Sequence, residues 1–360
     1  LAITNQSGHP ARLLVRDAWP RSAGGEDEVR RLRIPPGESR RSAGPLRPRQ
    51  RGDFNADRVT VRSFGPLGLA GRQRSWPLPG RLRVLPEFRS RHELPSRLAR
   101  LREMDGRAAV QLRGQGTEFD SLREYALGDD VRSIDWRASA RAEHVMVRTW
   151  RPERDRRVLI VLDTSRWAAG RVGDQTRLEA GIEVALLLGA VAAAGGDRVE
   201  LLAADRELRA QAAPVVGAAT LAALADQLAL VKPALVEANW NRIASLIRAR
   251  VRQRALVVLV TGTDPALVEV GLVPVLETLL RRHVVLIATV RDPGEAELRS
   301  GRIDSDALFN AAAAERRQLA VGAMERRLRA MGAHVVTELP ESLAPAVADA
   351  YLTLKASGQL

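Results

Sequence analysis

The chain has 360 residues, 45% of them hydrophobic, which is enough for two or three domains that each bury a core. It contains no cysteine, and this excludes disulfides, thiolate catalysis and cysteine-ligated zinc. The net charge of +13 lies in residues 1–157, which hold 33 arginines against 20 acidic residues, whereas residues 158–360 are neutral. A basic region of this kind could meet nucleic acid, anionic lipid or an acidic partner. Nucleic acid is not favoured, because no basic motif interleaved with aromatics accompanies the charge.

Residues 1–88 are predicted to form an all-β, β-sandwich-like domain. Short segments of alternating polarity, such as ARLLVRD and DRVTVRSF, are separated by glycines and prolines, as is typical of strands joined by turns. Residues 89–155 are expected to be a charged linker, helical in part, in which acidic and basic residues alternate closely.

From residue 156 onwards, apolar runs of strand length alternate with helical segments. This pattern predicts a doubly wound, mostly parallel α/β sheet over residues 156–360. Thr176 is the predicted N-cap of a helix that continues to Ala194 and ends at Gly195 and Gly196. Strands are expected at 156–163, 197–204, 255–260, 283–290 and 333–339, and further helices at 216–230, 239–252, 307–331 and 341–355.

The sequence lacks the common signatures of enzymes. It has no Walker A loop, no G-x-S-x-G elbow and no complete dinucleotide fingerprint, and its five histidines are scattered. No nucleophile can be paired with a base, so we expect a protein that is not an enzyme.

The sharpest local feature is LDTSRW, in which Asp163 follows a buried apolar run. Asp163, Thr164 and Ser165 resemble the start of D-x-S-x-S, the metal-ion-dependent adhesion site of von Willebrand factor A domains. Ligands of doubly wound folds bind at the carboxyl ends of strands, and hard oxygens there suit magnesium or manganese. The resemblance therefore implies a degenerate Mg²⁺ or Mn²⁺ site formed by Asp163, Ser165 and Asp264.

Two positions depart from that adhesion motif. Trp167 stands where the motif has its second serine, and Gly262 stands at the second strand end, where such folds usually have an aspartate. The alternative interpretation is that Asp163 only hydrogen-bonds nearby backbone amides.

The segment at residues 116–141, GTEFDSLREYALGDDVRSIDWRASAR, carries a second resemblance. Its ordered series of G-x-E-F, R-x-Y, G-D-x-x-R-x-I-D-W and S-A-R resembles the bacterial family called domain of unknown function 58. The signature residues carried over are Glu118, Arg123, Tyr125, Asp129, Arg132, Asp135, Trp136 and Arg141.

Two roles are open for this signature segment. Its interleaved charges indicate a network of ion pairs that clasps the β region to the α/β domain, with Ile134 and Trp136 pinned into a core. The alternative is a docking surface for another protein.

The family resemblance implies a non-enzymatic accessory or scaffold protein. It implies a MoxR-type AAA+ ATPase as partner and an unidentified client protein that the pair assembles or activates. The longest apolar run, at residues 184–194, is too short to span a bilayer. By resemblance, we expect a membrane anchor upstream of Leu1 and a location at the inner membrane, with this portion facing the cytoplasm.

Overall fold

The computed structural model describes residues 1–25, 29–65, 67–111, 118–126, 131–142, 144–151, 156–300 and 304–360. For residues 105–111, 118–121, 123, 149–151, 297 and 300 it describes the backbone alone. The chain divides into two compact units, a β unit (Leu1–Glu87 with Leu228–Leu230) and an α/β unit (Phe88–Gln227 with Val231–Leu360).

The β unit contains two antiparallel sheets. Strands β1 (Ala2–Thr4) and β4 (Ser39–Arg41) form the smaller sheet. The larger sheet has the order β3-β2-β5-β6 and consists of β2 (Ala11–Asp17), β3 (Arg30–Ile34), β5 (Gly52–Phe64) and β6 (Gly71–Val84). One face of this sheet buries Val15, Ile34 and Val59, as alternating polarity requires. The prediction of an all-β region at the start of the chain is confirmed.

Residues 89–155, predicted as a charged linker that is helical in part, contain a helix and also a hairpin that the sequence did not predict. Helix α1 (Leu94–Gln111) is followed by an antiparallel hairpin of β7 (Glu118–Glu124) and β8 (Met146–Arg151), with the short helix α2 (Trp136–Ser139) between its strands. The two strands escaped prediction because their charged residues hide the apolar alternation by which strands are recognised.

The main sheet of the α/β unit has six strands in the order β13-β12-β9-β14-β15-β16. Five of them are parallel, and β13 at one edge is antiparallel to β12. Their bounds are β9 (Arg157–Asp163), β12 (Arg198–Ala204), β13 (Leu208–Val215), β14 (Leu256–Val260), β15 (Val284–Val290) and β16 (His334–Glu338). The five parallel strands were predicted. Strand β13 was not, since its run of Ala and Gln with a Pro has low strand propensity.

The helices of this unit follow the strands closely. They are α3 (Arg166–Ala169), α4 (Arg177–Ala194), α5 (Ala219–Ala229), α6 (Trp240–Arg250), α7 (Pro265–Leu267), α8 (Val273–Leu280), α9 (Gly294–Ser300), α10 (Ser305–Ala330) and α11 (Pro340–Ala356). A π-helical turn (Val268–Leu272) joins α7 to α8, and a small hairpin of β10 (Arg171–Val172) and β11 (Gln175–Thr176) precedes α4. The Thr176 hydroxyl accepts the Glu179 amide at 3.4 Å, which confirms Thr176 as the N-cap.

Helices cover both faces of the main sheet. One face buries Val161 and Leu259 in a core formed with α6, α8 and the last turns of α10. On the other face Leu162 and Val260 lie against Gly181 of α4, where a Cβ would come within 2.6 Å of the Leu162 side chain. The predicted class is confirmed at this level: a mixed α/β unit with a mostly parallel sheet.

The stretch before α1 is held to the same unit. The buried carboxylate of Glu183 in α4 accepts the backbone amides of Arg89 at 2.8 Å and Ser90 at 3.1 Å. Within the described ranges, none of the helices combines the length and apolar composition needed to cross a bilayer.

Candidate functional site

The carboxyl edge of the parallel sheet brings together polar residues from four strand ends. Strand β9 ends at Asp163, β12 ends just before Asp205, and β14 ends just before Thr261. Thr289 is the second-last residue of β15. This is the edge at which doubly wound sheets bind ligands. All four of these side chains are buried.

Asp163 is the centre of this edge. Its Oδ1 accepts the Ser165 backbone amide at 2.8 Å, and its Oδ2 accepts the Thr261 hydroxyl at 2.7 Å. The Thr289 hydroxyl in turn donates to the Thr261 carbonyl at 2.8 Å. A single chain of hydrogen bonds therefore joins the ends of three neighbouring strands, and Asp163 bonds a nearby backbone amide as the alternative interpretation predicted.

Burial raises the pKa of the Asp163 carboxyl above its ordinary value, because the charged form loses hydration. Hydrogen bonds from Thr261 and Ser165 act in the opposite direction without cancelling the effect of burial, and the charge of Asp205 adds to it. Asp163 is thus a carboxyl that resists ionisation.

Asp205 has the opposite electrostatic character. Burial acts to raise its pKa, but hydrogen bonds from Arg209, Thr164 and the Glu207 amide outweigh burial and hold the pKa below its ordinary value. Arg209 donates to both carboxylate oxygens, at 2.8 and 3.0 Å, and the Thr164 hydroxyl donates at 2.8 Å. The carboxyl edge therefore holds one carboxyl group with a raised pKa, Asp163, and one with a lowered pKa, Asp205.

Trp167 fills the space beside this chain of hydrogen bonds. The indole is buried and lies against Gly262, where a Cβ would come within 2.4 Å of the indole Nε1 and 2.6 Å of Cδ1. The Arg177 guanidinium lies over the ring, 5.6 Å from its centroid. Trp167 and Gly262, the two departures from the adhesion motif, therefore depend on each other. The indole of Trp167 occupies the space that a side chain at position 262 would need.

The residues predicted to hold a metal do not fit one as they are arranged. Both oxygens of Asp163 are engaged, and the indole lies over the second strand end. Asp264 instead caps α7 by accepting the Ala266 amide at 3.1 Å. In the part of the chain that the structure describes, no three acidic or histidine side chains converge on a point where a cation could sit. Metal binding through Asp163, Ser165 and Asp264 stays a prediction.

A set of ion pairs surrounds Trp167 at the surface. Arg177 lies 3.9 Å from Asp292, and Arg317 of α10 lies 3.8 Å from Asp264 and 3.5 Å from Glu295. Burial lowers the pKa of Arg177, although the nearby carboxylates oppose this shift. These contacts connect α10 to the loops at the carboxyl edge.

In the signature segment, Asp135 forms a local network. Its Oδ1 accepts the amides of Arg137 and Ala138, which caps α2, and its Oδ2 accepts Arg148 Nε at 2.8 Å. The Ala138 amide and Arg148 lower the pKa of this carboxyl. Ser139 accepts the Met146 amide at 2.8 Å, which ties α2 to β8.

The expectation that Trp136 is pinned into a core is wrong. Its side chain is 69% exposed, because α2 is a single turn that presents this residue to solvent. Ile134 is half-buried and forms a bridge to the buried Val147. Tyr125, Arg132 and Arg141 are also exposed.

The other signature positions cannot be placed in this way. Asp129 lies outside the described residues, as do the side chains of Glu118 and Arg123.

Three residues of the carboxyl edge were not predicted from the sequence: Asp205, Thr261 and Arg177. A search for polar residues after every buried strand would have found the first two.

The geometry defines a mixed α/β protein with a closed, hydrogen-bonded carboxyl edge. The chain matches the family described as "Protein of unknown function DUF58" over residues 121–338, more than half of its length, and it belongs to that family. The matched range includes β9, β14 and the whole carboxyl edge.

Curated relatives match a similar share of the chain. They include "Uncharacterized protein Mb1516" of Mycobacterium bovis and "Uncharacterized protein Rv1480" of Mycobacterium tuberculosis, each 25% identical over 187 residues. These matches cover 51% of this chain and 58% of each relative, so the chain spans little more than half the length of the curated relatives.

The fit between Trp167 and Gly262 can be tested by adding one methyl group. We expect Gly262→Ala to lower the free energy of unfolding by about 1–3 kcal/mol, as overpacking usually does. Gly8→Ala is the matched control, because Gly8 also lies outside helices and strands and a Cβ there meets nothing within 4 Å. Urea unfolding measures both variants, and the destabilisation caused by Gly262→Ala should be smaller in a Trp167→Leu background. Equal midpoints for Gly262→Ala and Gly8→Ala would contradict the fit.

The opposed pKa shifts predict opposite pH effects for two matched substitutions. The raised pKa of Asp163 contributes stability below the ordinary aspartate pKa, and this is lost as pH rises through the folded value. The lowered pKa of Asp205 contributes stability above the ordinary value, which is lost as pH falls.

Relative to wild type, Asp163→Asn should therefore become more stable as pH rises above 4, whereas Asp205→Asn should become less stable as pH rises towards 4 from the acid side. Urea unfolding on both sides of pH 4 measures the two trends. Parallel trends for the two variants would refute the assignment.

Metal binding can be tested by loss and by gain. If the indole fills the space of the second carboxylate, calorimetric titration of the wild type with Mg²⁺ or Mn²⁺ should give no binding heat. The double variant Trp167→Ser/Gly262→Asp supplies the missing oxygen ligands and should give a binding heat on titration with the same cations. Heat in the wild type that Asp163→Ala removes would establish a cation site at this edge.

Proposed function

We propose that this protein is a non-enzymatic accessory protein that works with a MoxR-type AAA+ ATPase to assemble or activate a client protein. In this proposal the α/β unit is von Willebrand A-like, and the ATPase binds its carboxyl edge. The resemblance of the signature segment supports the partner, and the six-stranded, mostly parallel sheet is compatible with the fold.

The observation that carries the proposal is the length of α10. At about 1.5 Å per residue its 26 residues span about 39 Å. The strands it connects, β15 and β16, have seven and five residues and span about 23 and 17 Å at about 3.3 Å per residue. Only three residues separate the end of α10 from the start of β16, so α10 ends near the amino edge of the sheet. Because α10 is longer than these strands, its first turns extend past the carboxyl edge.

Helix α10 exposes three large apolar side chains among polar and charged ones. Leu308 and Leu319 are exposed and lie three helical turns apart on one side of the helix, and Phe309 beside them is 75% exposed. We name these three residues the α10 patch. Apolar side chains exposed together mark surfaces that bind other proteins. The last turns, with Met324 and Leu328, instead pack in the core.

The state of the carboxyl edge also supports binding rather than chemistry. The hydroxyls of Thr164 and Thr261 and the carboxylates of Asp163 and Asp205 bond one another or nearby protein groups. Arg317 fastens α10 to this edge through Asp264 and Glu295. The α10 patch thus belongs to a helix whose middle turns contact the carboxyl edge.

In the same proposal an upstream segment anchors the native protein in the inner membrane, and the units described here face the cytoplasm. The family resemblance and the arginine excess of residues 1–157 support this orientation.

Affinity measurement with a purified MoxR-type ATPase from the same organism tests the partner and the surface together. Phe309→Asp should weaken binding at least thirtyfold, which corresponds to about 2 kcal/mol, the usual threshold for an interface hot spot. Val216→Asp is the matched control, because Val216 is also exposed but follows β13 at the amino edge of the sheet.

Two results would contradict the proposal. Absence of binding by the full-length wild type would exclude the ATPase as a direct partner. Equal loss of affinity in the Phe309 and Val216 variants would exclude the α10 patch as the interface.

A further inference from the structure

The β unit ends in a hairpin tip that is apolar and open to solvent. Strands β5 and β6 are joined by a turn in which Leu67 is 83% exposed and Leu69 is 88% exposed. Gly68 between them has a φ of 71°, and its amide donates to the Gly65 carbonyl at 3.0 Å. The tight turn therefore holds two leucines outward, although neither packs in a core.

Arginines surround the base of this tip. The strand register places Arg33, Arg12, Phe64 and Gly71 in one row across the sheet. The next two rows, moving away from the tip, add Arg72 and then Arg31 and Arg62. None of these three rows contains an acidic residue. We name the five arginines, Arg12, Arg31, Arg33, Arg62 and Arg72, the arginine collar, and all five are exposed.

Four members of the arginine collar lie on one face of the sheet. The strand register pairs these residues directly or places them at alternate positions of one strand: Arg12, Arg31, Arg33 and Arg62. Their side chains therefore project from the face opposite to that of the buried Val15. The same face has a hollow of about 430 Å³ lined by Arg62, Arg58 and Thr60, among others. A hollow of this kind is large enough for a phosphate-bearing headgroup.

We infer that the β unit binds the surface of anionic phospholipid bilayers, with Leu67 and Leu69 inserted and the arginine collar on the lipid phosphates. Apolar side chains that enter the headgroup and acyl boundary, combined with basic residues beside them, are the two requirements for stable attachment. Arg62 and Gly65 are three steps apart along the chain, which at about 3.4 Å per step is about 10 Å, and this matches the depth of that boundary.

The tip favours lipid over nucleic acid as the ligand. Proteins that bind single strands present aromatic faces on which bases stack. Here the tip residues are aliphatic. The nearby Trp76 lies under the Arg74 guanidinium, 5.4 Å from its ring centroid.

Vesicle sedimentation with the 360-residue chain tests this inference. We expect binding to vesicles of phosphatidylcholine with phosphatidylglycerol and at least tenfold weaker binding to phosphatidylcholine alone. Leu67→Ser/Leu69→Ser and Arg62→Gln/Arg72→Gln should each weaken binding to anionic vesicles at least tenfold. The matched controls are Leu235→Ser, which is 82% exposed in the α/β unit, and Arg327→Gln, whose arginine pairs with Glu269 in the same unit. Both controls should bind as the wild type does.

A second measurement detects insertion directly. In Leu69→Trp, the fluorescence of the added tryptophan should shift to the blue on anionic vesicles and be quenched by brominated acyl chains, with Leu235→Trp as the silent control. The inference is overturned if the tip and collar variants sediment like the wild type or if Leu69→Trp is not quenched. Collar-dependent binding to a DNA oligonucleotide without binding to vesicles would overturn it in favour of nucleic acid.

Discussion

The arrangement of the loops at the carboxyl edge of the α/β unit depends on the hydrogen bond between the Thr261 hydroxyl and the Asp163 carboxyl group. Asp163 ends the central strand β9 and Thr261 follows its neighbour β14, so this 2.7 Å contact sets the relative position of two loops at the carboxyl edge. The Ser165 amide occupies the other carboxylate oxygen. Because a buried carboxylate without partners is costly, the loops on either side are constrained to keep both bonds.

That constraint explains why the edge is closed rather than open. With the Asp163 oxygens engaged, a ligand could bind only beside them, and there Trp167 and Gly262 fit together. Arg177 covers the outer side of the indole, and its own ion pair with Asp292 continues to the surface. The polar residues at this edge are thus used to hold the loops, and the recognition surface that we propose is the α10 patch instead.

The sequence predicted the parallel strands and most helices, since buried apolar runs and the Thr176 cap are local signals. It also placed Asp163 at a strand end. It could not predict Thr261 as its partner, because 98 residues separate the two and their meeting depends on strand order. Strand β13 escaped because its alanines, glutamine and proline have low strand propensity, and the β7–β8 hairpin escaped because its charged residues hide the apolar alternation. Trp136 was misjudged because a large aromatic residue suggests burial even where its helix has a single turn.

The length of α10 has a consequence for the stability of its two halves. Among the described side chains of residues 305–320, Ala311 is buried, whereas Met324 and Leu328 in the later turns anchor in the core. The free energy of local opening therefore falls along the helix towards Ser305, since little apolar surface is exposed when the first turns fray. A protein that covers those turns also slows their amide exchange with solvent. Part of its binding free energy is spent on ordering a helix end that the sheet does not support.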